Sequence, residues 1–255
     1  MARTLDLLIL ACTAILAIRL FTADLYRRYR VFFFYLVFET LRATAVISLG
    51  QSSDSYQKFW VVSEPVEWLL YVLVVLEISS LVLQDYKGLS TAGRWVLITA
   101  VVVALLASGI SLLAPSLLTG QGPLMRYYYV AERAVYFSLV VFLLSNLGLL
   151  MQYPITLNRN TILHSMVFSV YFLGNTVIYL LLSMRGYDTL PAVVVGMDMI
   201  TLAALATWLV RLKPAGELSK LRLRPQWMPG KEEDLIGQLN HLNMALLRAT
   251  GNRPK

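Results

Sequence analysis

Seven stretches of mostly apolar residues follow one another along this chain, and ionisable residues stand inside several of them. A helix that crosses a bilayer needs about 20 such residues. A charge placed within it is costly and usually has a role. The composition agrees: 58% of the 255 residues are hydrophobic and 15% are charged, with a mean hydropathy of +0.64. Soluble domains carry about 25% charged residues. A soluble fold could not hide this much apolar surface, so lipid is the solvent for most of the chain.

The runs predict an all-α, polytopic membrane bundle with transmembrane helices at 5–22, 29–49, 59–83, 93–113, 127–150, 161–183 and 190–211. Residues 212–255 form a basic tail with a further helix at 231–249. Arg27, Arg28 and Arg30 in the first loop, Lys87 and Arg94 in the third and Arg159 in the fifth outweigh Lys58, Arg126 and Arg185 in the alternate loops. Under the positive-inside rule the tail is cytoplasmic and the N-terminus outside. The net charge of +7 is thus mostly topology and attraction to anionic lipid, not a nucleic-acid face. Arg3 and the run before Cys12 loosely resemble a cleaved leader, but Asp6 interrupts the run, which is read as the first span. Aromatic residues at span ends, among them Tyr29, Phe32–Tyr35, Tyr127–Tyr129, Trp60, Trp95 and Trp208, are expected to be interfacial anchors.

Pro214, Gly216, Pro225, Pro229 and Gly230 break the tail before its helix. In that helix Leu235, Leu239, Leu242 and Leu246 recur at spacings that make one apolar stripe. Two readings stand: the stripe lies on the membrane or on its own bundle, or it docks a cytoplasmic protein partner.

The intramembrane charges are not scattered. With a rise of roughly 1.5 Å per residue, Glu39 and Arg42 lie roughly 10–15 Å, Glu64 and Glu67 roughly 8–12 Å, and Glu132 and Arg133 about 8–9 Å below the outer surface. Asn175 and Asp198 fall about 12 Å deep. Glu39/Arg42 and Glu64/Glu67 are i,i+3 pairs, each on one helix face. These eight residues are the candidate pocket. Five acids facing two arginines require protonated carboxyls or a bound cation if they share one site. The competing reading is structural: buried acids and arginines pairing across helices to hold the bundle. Glu77 and Asn146, deeper in, could continue a polar path. His164 is placed near the cytoplasmic edge, and Pro65 in the first turns of its helix.

Much chemistry is excluded. One intramembrane histidine cannot supply a bis-histidine haem, helix seven has no lysine for a retinal Schiff base, and the lone Cys12 excludes a disulfide or multi-cysteine metal site. No HExxH, GxSxG, Walker A or CxxC motif occurs. No enzyme activity, metal or cofactor is therefore expected.

Two stretches carry a resemblance: Arg27-Arg28-Tyr29-Arg30-Val31-Phe32-Phe33-Phe34-Tyr35, and the segment from Glu67-Trp68 through Glu77 to Tyr86-Lys87-Gly88-Leu89, whose loop ends in Gly93-Arg94. Together they resemble a group of bacterial seven-helix membrane proteins without assigned activity. The resemblance implies a seven-helix bundle in a bacterial cytoplasmic membrane and carries over no functional residue. Two classes of function remain: a receptor-like sensor or membrane-complex subunit taking a small or lipidic ligand or a cation, or a proton- or cation-coupled transporter or channel. The second lacks a visible inverted repeat.

Overall fold

A computed structural model of the chain describes residues 2–49, 54–111, 123–152, 157–185, 190–221 and 231–249. Seven long helices form: α1 (Ala2–Thr22), α2 (Arg30–Leu49), α3 (Asp54–Val82), α4 (Lys87–Ser111), α5 (Pro123–Gln152), α6 (Arg159–Arg185) and α7 (Leu190–Arg211). A short α8 (Ala215–Leu218) and the tail helix α9 (Lys231–Ala249) follow. Each of the seven long helices has the length and apolar composition to cross a bilayer. Pro225, Pro229 and Gly230 lie outside the described residues, as do the side chains of Arg126, Tyr127, Tyr129 and Arg185.

Helices α3 and α4 begin several residues upstream of the apolar runs that announce them. Hydropathy registers only the lipid-facing part of a helix, and here the first turns are polar. The consequence is largest at Pro65, which stands three turns inside α3 rather than in its first turns. Proline offers no N–H to the carbonyl four residues back, which is that of Val61. The Tyr128 hydroxyl of α5 donates to that carbonyl at 2.9 Å. The break in the α3 ladder thus becomes a tie between α3 and α5.

Helix α1 packs between α2 and α7, and α6 between α5 and α7. Helix α3 touches α2, α4, α5 and α6, and α4 lies at the edge against α5 and the tail helix. Outward positions are apolar, as at Ile18, Leu41, Val62, Val170 and Val210. The inward face is aromatic and polar, with Tyr71, Phe172, Glu64 and Asn175 all fully enclosed. Several expected anchors belong to this core: Tyr29, Phe32, Tyr35 and Trp208 are buried, whereas Phe34 and Trp95 do face outward. Glu77 of α3 accepts from the Val31 and Phe32 amides at 2.9 and 3.1 Å. It caps the positive end of α2 with a carboxylate from a neighbouring helix and so fixes the α2–α3 register.

The tail helix docks on its own bundle. The Gly88 amide in the first turn of α4 donates to Asn243 Oδ1 at 2.7 Å, Leu239 is 1% exposed, and Leu246 packs on the core. Leu235 is half-buried and Leu242 faces outward. Any partner that needs Leu239 must first lift α9 off α4. Gly88 allows the close approach, because a Cβ there would collide with the main-chain oxygen of Asn243. Gly88→Ala is therefore expected to undock α9 without unfolding the bundle. Amide exchange across 231–249 should accelerate while helix content and exchange in α1–α7 stay unchanged; unaltered exchange in α9 would contradict the docking.

Candidate functional site

Two helices bring three carboxyls to one guanidinium. The i,i+3 spacing puts Glu39 beside Arg42 on α2, and the same spacing puts Glu64 beside Glu67 on the facing side of α3. Arg42 Nη2 lies 2.7 Å from Glu64 Oε2, and Nη1 lies 3.4 Å from Glu39 Oε1 and also pairs with Glu67. Arginine suits this place because its planar fork carries five donors with fixed directions, where a lysine would offer a single point charge. Glu64 and Glu67 are almost fully buried. Glu132, at 4% exposure on α5, comes within hydrogen-bonding reach of Glu64. Four carboxyls therefore surround one cation.

A second layer of hydroxyls completes the network. Tyr71 donates to Glu67 and lies 2.8 Å from the Tyr171 hydroxyl. Tyr136 donates to Glu132 at 2.8 Å, and Tyr179 reaches the same carboxyl. Tyr171 contacts Thr201 on α7. The polar network thus runs through α2, α3, α5, α6 and α7. The rings form a chain of tilted and edge-to-face contacts: Tyr71 to Tyr136 at 5.6 Å, Tyr136 to Tyr179 at 5.9 Å, and Tyr35 to Tyr71 at 5.3 Å. The four tyrosines Tyr71, Tyr136, Tyr171 and Tyr179 were not among the sequence candidates. A signal was present, since Tyr71 follows Glu67 and Tyr136 follows Glu132 by four residues, which places each hydroxyl beside its carboxyl on one helix face.

Asn175 and Asp198 do not join the Arg42 cluster. Arg133 is half-buried, about 100° further round α5 than Glu132. Asn175 is buried and donates to the Tyr171 carbonyl within its own helix at 2.8 Å. Asp198 faces Asp6 of α1 instead, and its Oδ2 is buried with no hydrogen-bond partner among the described residues. The expected single layer is thus two acidic places, one organised by Arg42 and one between α1 and α7. Asn146 is occupied by the Phe142 carbonyl and by Ser79, and Glu77 by the α2 amides, so neither extends the cluster. His164 does lie near the helix ends, but it is enclosed rather than exposed at the interface. It sits in an aromatic box with Tyr29 at 4.5 Å, Phe32 at 4.8 Å and Trp208 at 6.0 Å.

At the tail end of the bundle a second hub forms around Glu217 of α8. It accepts from Tyr29 at 2.6 Å, from Asn160 at 2.6 Å and from Asn158 at 3.2 Å, and pairs with Arg28 at 2.8 Å. Burial and the adjacent Glu217 push the Tyr29 hydroxyl above its ordinary value, so it remains a proton donor at physiological pH. Next to it Leu157–Asn158 and Lys220–Leu221 pair as two short antiparallel strands. The hub ties the α1–α2 turn, the start of α6 and the segment after α7 together.

No known protein family, curated protein or solved structure matches this chain.

The geometry makes the two hubs energetically distinct. Arg42→Gln removes the cation that the Glu39, Glu64 and Glu67 carboxyls share, and breaking such a buried pair costs about 3–5 kcal/mol. A fall in Tm of roughly 10 °C is expected in detergent. Tyr29→Phe leaves Glu217 three partners and should cost about 1–3 kcal/mol, so its Tm should fall less than that of Arg42→Gln. Equal Tm values for Arg42→Gln and the wild type would show that Arg42 does not hold the cluster.

Proposed function

We propose that this chain is a receptor-like sensor or membrane-complex subunit of a bacterial cytoplasmic membrane, with its N-terminus outside and its tail in the cytoplasm. The acid-rich Arg42 cluster receives the signal, a small or lipidic ligand or a cation competing for its carboxyls, and α9 passes the signal to a cytoplasmic partner. One observation carries this reading: α3 links both ends. It holds Glu64 and Glu67 in the cluster and Glu77 at the α2 cap, then turns within four residues into α4, on whose Gly88 α9 rests. A shift of α3 on rearrangement of the cluster would move the surface that holds the tail helix. Two arrangements of one packed element, biased from one end and read at the other, are what a sensor needs.

The second reading is proton- or cation-coupled transport, and it also has a specific observation. Four carboxyls share one guanidinium, and a hydrogen bond between the Glu64 and Glu132 carboxyls exists only if one of them carries a proton. Tyr136, Tyr71 and Tyr171 continue hydroxyl contacts from there toward α7.

One set of measurements separates the two. Amide exchange of 231–249 is followed in the full chain in nanodiscs for the wild type, Glu64→Gln and Glu132→Gln, and flux is followed in proteoliposomes under a pH or sodium gradient. The sensor reading expects a severalfold change in α9 exchange in both variants and no flux. Flux abolished by Glu132→Gln, with α9 exchange indifferent to either substitution, would replace it with the transport reading. Labelling of single cysteines introduced at Thr4 and at Leu242 of a Cys12→Ser chain tests the orientation: only the Thr4 site should react from outside intact cells.

A further inference from the structure

The tail end of the bundle holds a cavity of about 440 Å³ between the start of α6 and the segment that leaves α7. This lies in the range of about 300–1,000 Å³ usual for small-molecule sites. Its walls carry three cations, Arg159, Arg211 and Lys213, together with Ser219 and Gly216. The only acid of residues 212–219 is Glu217, and it is occupied by Arg28, Tyr29, Asn158 and Asn160. None of the three cations has a side-chain partner among the described residues. The backbone at the same place is instead fixed tightly. The Arg159 amide donates to the Ser219 carbonyl at 3.0 Å, and the Lys213 carbonyl accepts from Asn160 at 2.8 Å. The Leu212 carbonyl accepts from Arg19 of α1 at 2.9 Å. Gly216 lets α8 lie directly on Asn160, where a Cβ would collide. A rigid frame thus holds three cations, unneutralised among the described residues, toward one concavity.

The place in the fold narrows the ligand. Arg159 opens α6 and Arg211 closes α7, so the cavity lies at the end of two membrane-crossing helices, at the depth of lipid headgroups. Val210, 65% exposed, lines the same cavity and continues into the apolar outer face of α7. Like charges held together gain most from a multivalent anion, and phosphate takes bidentate bonds from arginine. We propose that this cavity binds the phosphate headgroup of an anionic phospholipid, with Arg159, Arg211 and Lys213 on the phosphate and one acyl chain along Val210. A headgroup that carries its own ammonium would neutralise the phosphate and lose most of this attraction.

The test uses the full chain in detergent micelles, titrated with phosphatidylglycerol, with phosphatidylcholine and with inorganic phosphate, and read by native mass spectrometry. The wild type should retain phosphatidylglycerol and release phosphatidylcholine. The Arg159→Gln/Arg211→Gln/Lys213→Gln chain should bind phosphatidylglycerol on the order of a hundredfold more weakly, at about fivefold per cation. These side chains have no side-chain partners among the described residues, so its Tm should match that of the wild type. If the triple chain does not fold, the single Lys213→Gln variant should still show about the fivefold loss. A control chain neutralised elsewhere, Lys58→Gln/Lys87→Gln/Arg94→Gln, should retain the lipid as the wild type does. Equal retention by the triple chain and the wild type would overturn the site, and so would equal loss in the control. Displacement of the lipid by millimolar inorganic phosphate would overturn the lipid as occupant in favour of the free anion.

Discussion

A guanidinium inside a membrane bundle must be surrounded by acceptors, and the rest of this bundle is arranged around that requirement. Arg42 lies about 18 Å up α2 from Arg30, and only 14% of its side chain is exposed. Its carboxyl partners come from its own helix and from α3. Once Glu64 and Glu67 are placed by Arg42, their remaining acceptor sites need donors, and Glu132 arrives from α5 with its own. The tyrosines of α3, α5 and α6 supply those donors. The polar core is therefore a consequence of one buried cation and of the rule that a buried polar group must be paired.

The same rule governs the places where the helices are interrupted. Pro65 frees the Val61 carbonyl, and Tyr128 takes it. The start of α2 exposes amides, and Glu77 covers them. The segment after α7 leaves the bundle's long helices, and Glu217 collects an arginine, a tyrosine and two asparagines. Each is a side chain from one element closing a backbone or charge defect in another. In a bundle whose outer faces are mostly apolar, these ties fix register and rotation, since lipid contact by itself does not distinguish one apolar face from another.

Much of this was legible in the sequence for a simple reason. Lipid-facing length and apolar composition are local properties, so seven long helices and a tail helix could be read directly. The i,i+3 pairs were equally local, and Glu39 with Arg42 and Glu64 with Glu67 do meet. Asp198 and Arg133 were placed in the same layer because depth can be counted along a helix, whereas rotation about the helix axis cannot. Asp198 faces α1, and Arg133 is turned away from the position of Glu132. Tyr35 and Trp208 were read as anchors because aromatic residues near span ends usually are, yet here they fill the core. His164 lies near the helix ends as counted, yet it too is part of the core.

The sequence by itself determined the solvent, the class of fold and the existence of buried charge, because hydrophobic length and helical spacing are fixed by residues close in the chain. Which carboxyls share Arg42, where the tail helix rests and which cations line the cavity at the end of α6 and α7 were decided only by tertiary structure. Arg42 and Glu64 stand 22 positions apart and Gly88 and Asn243 155, and packing, not local pattern, sets the rotation that brings them together.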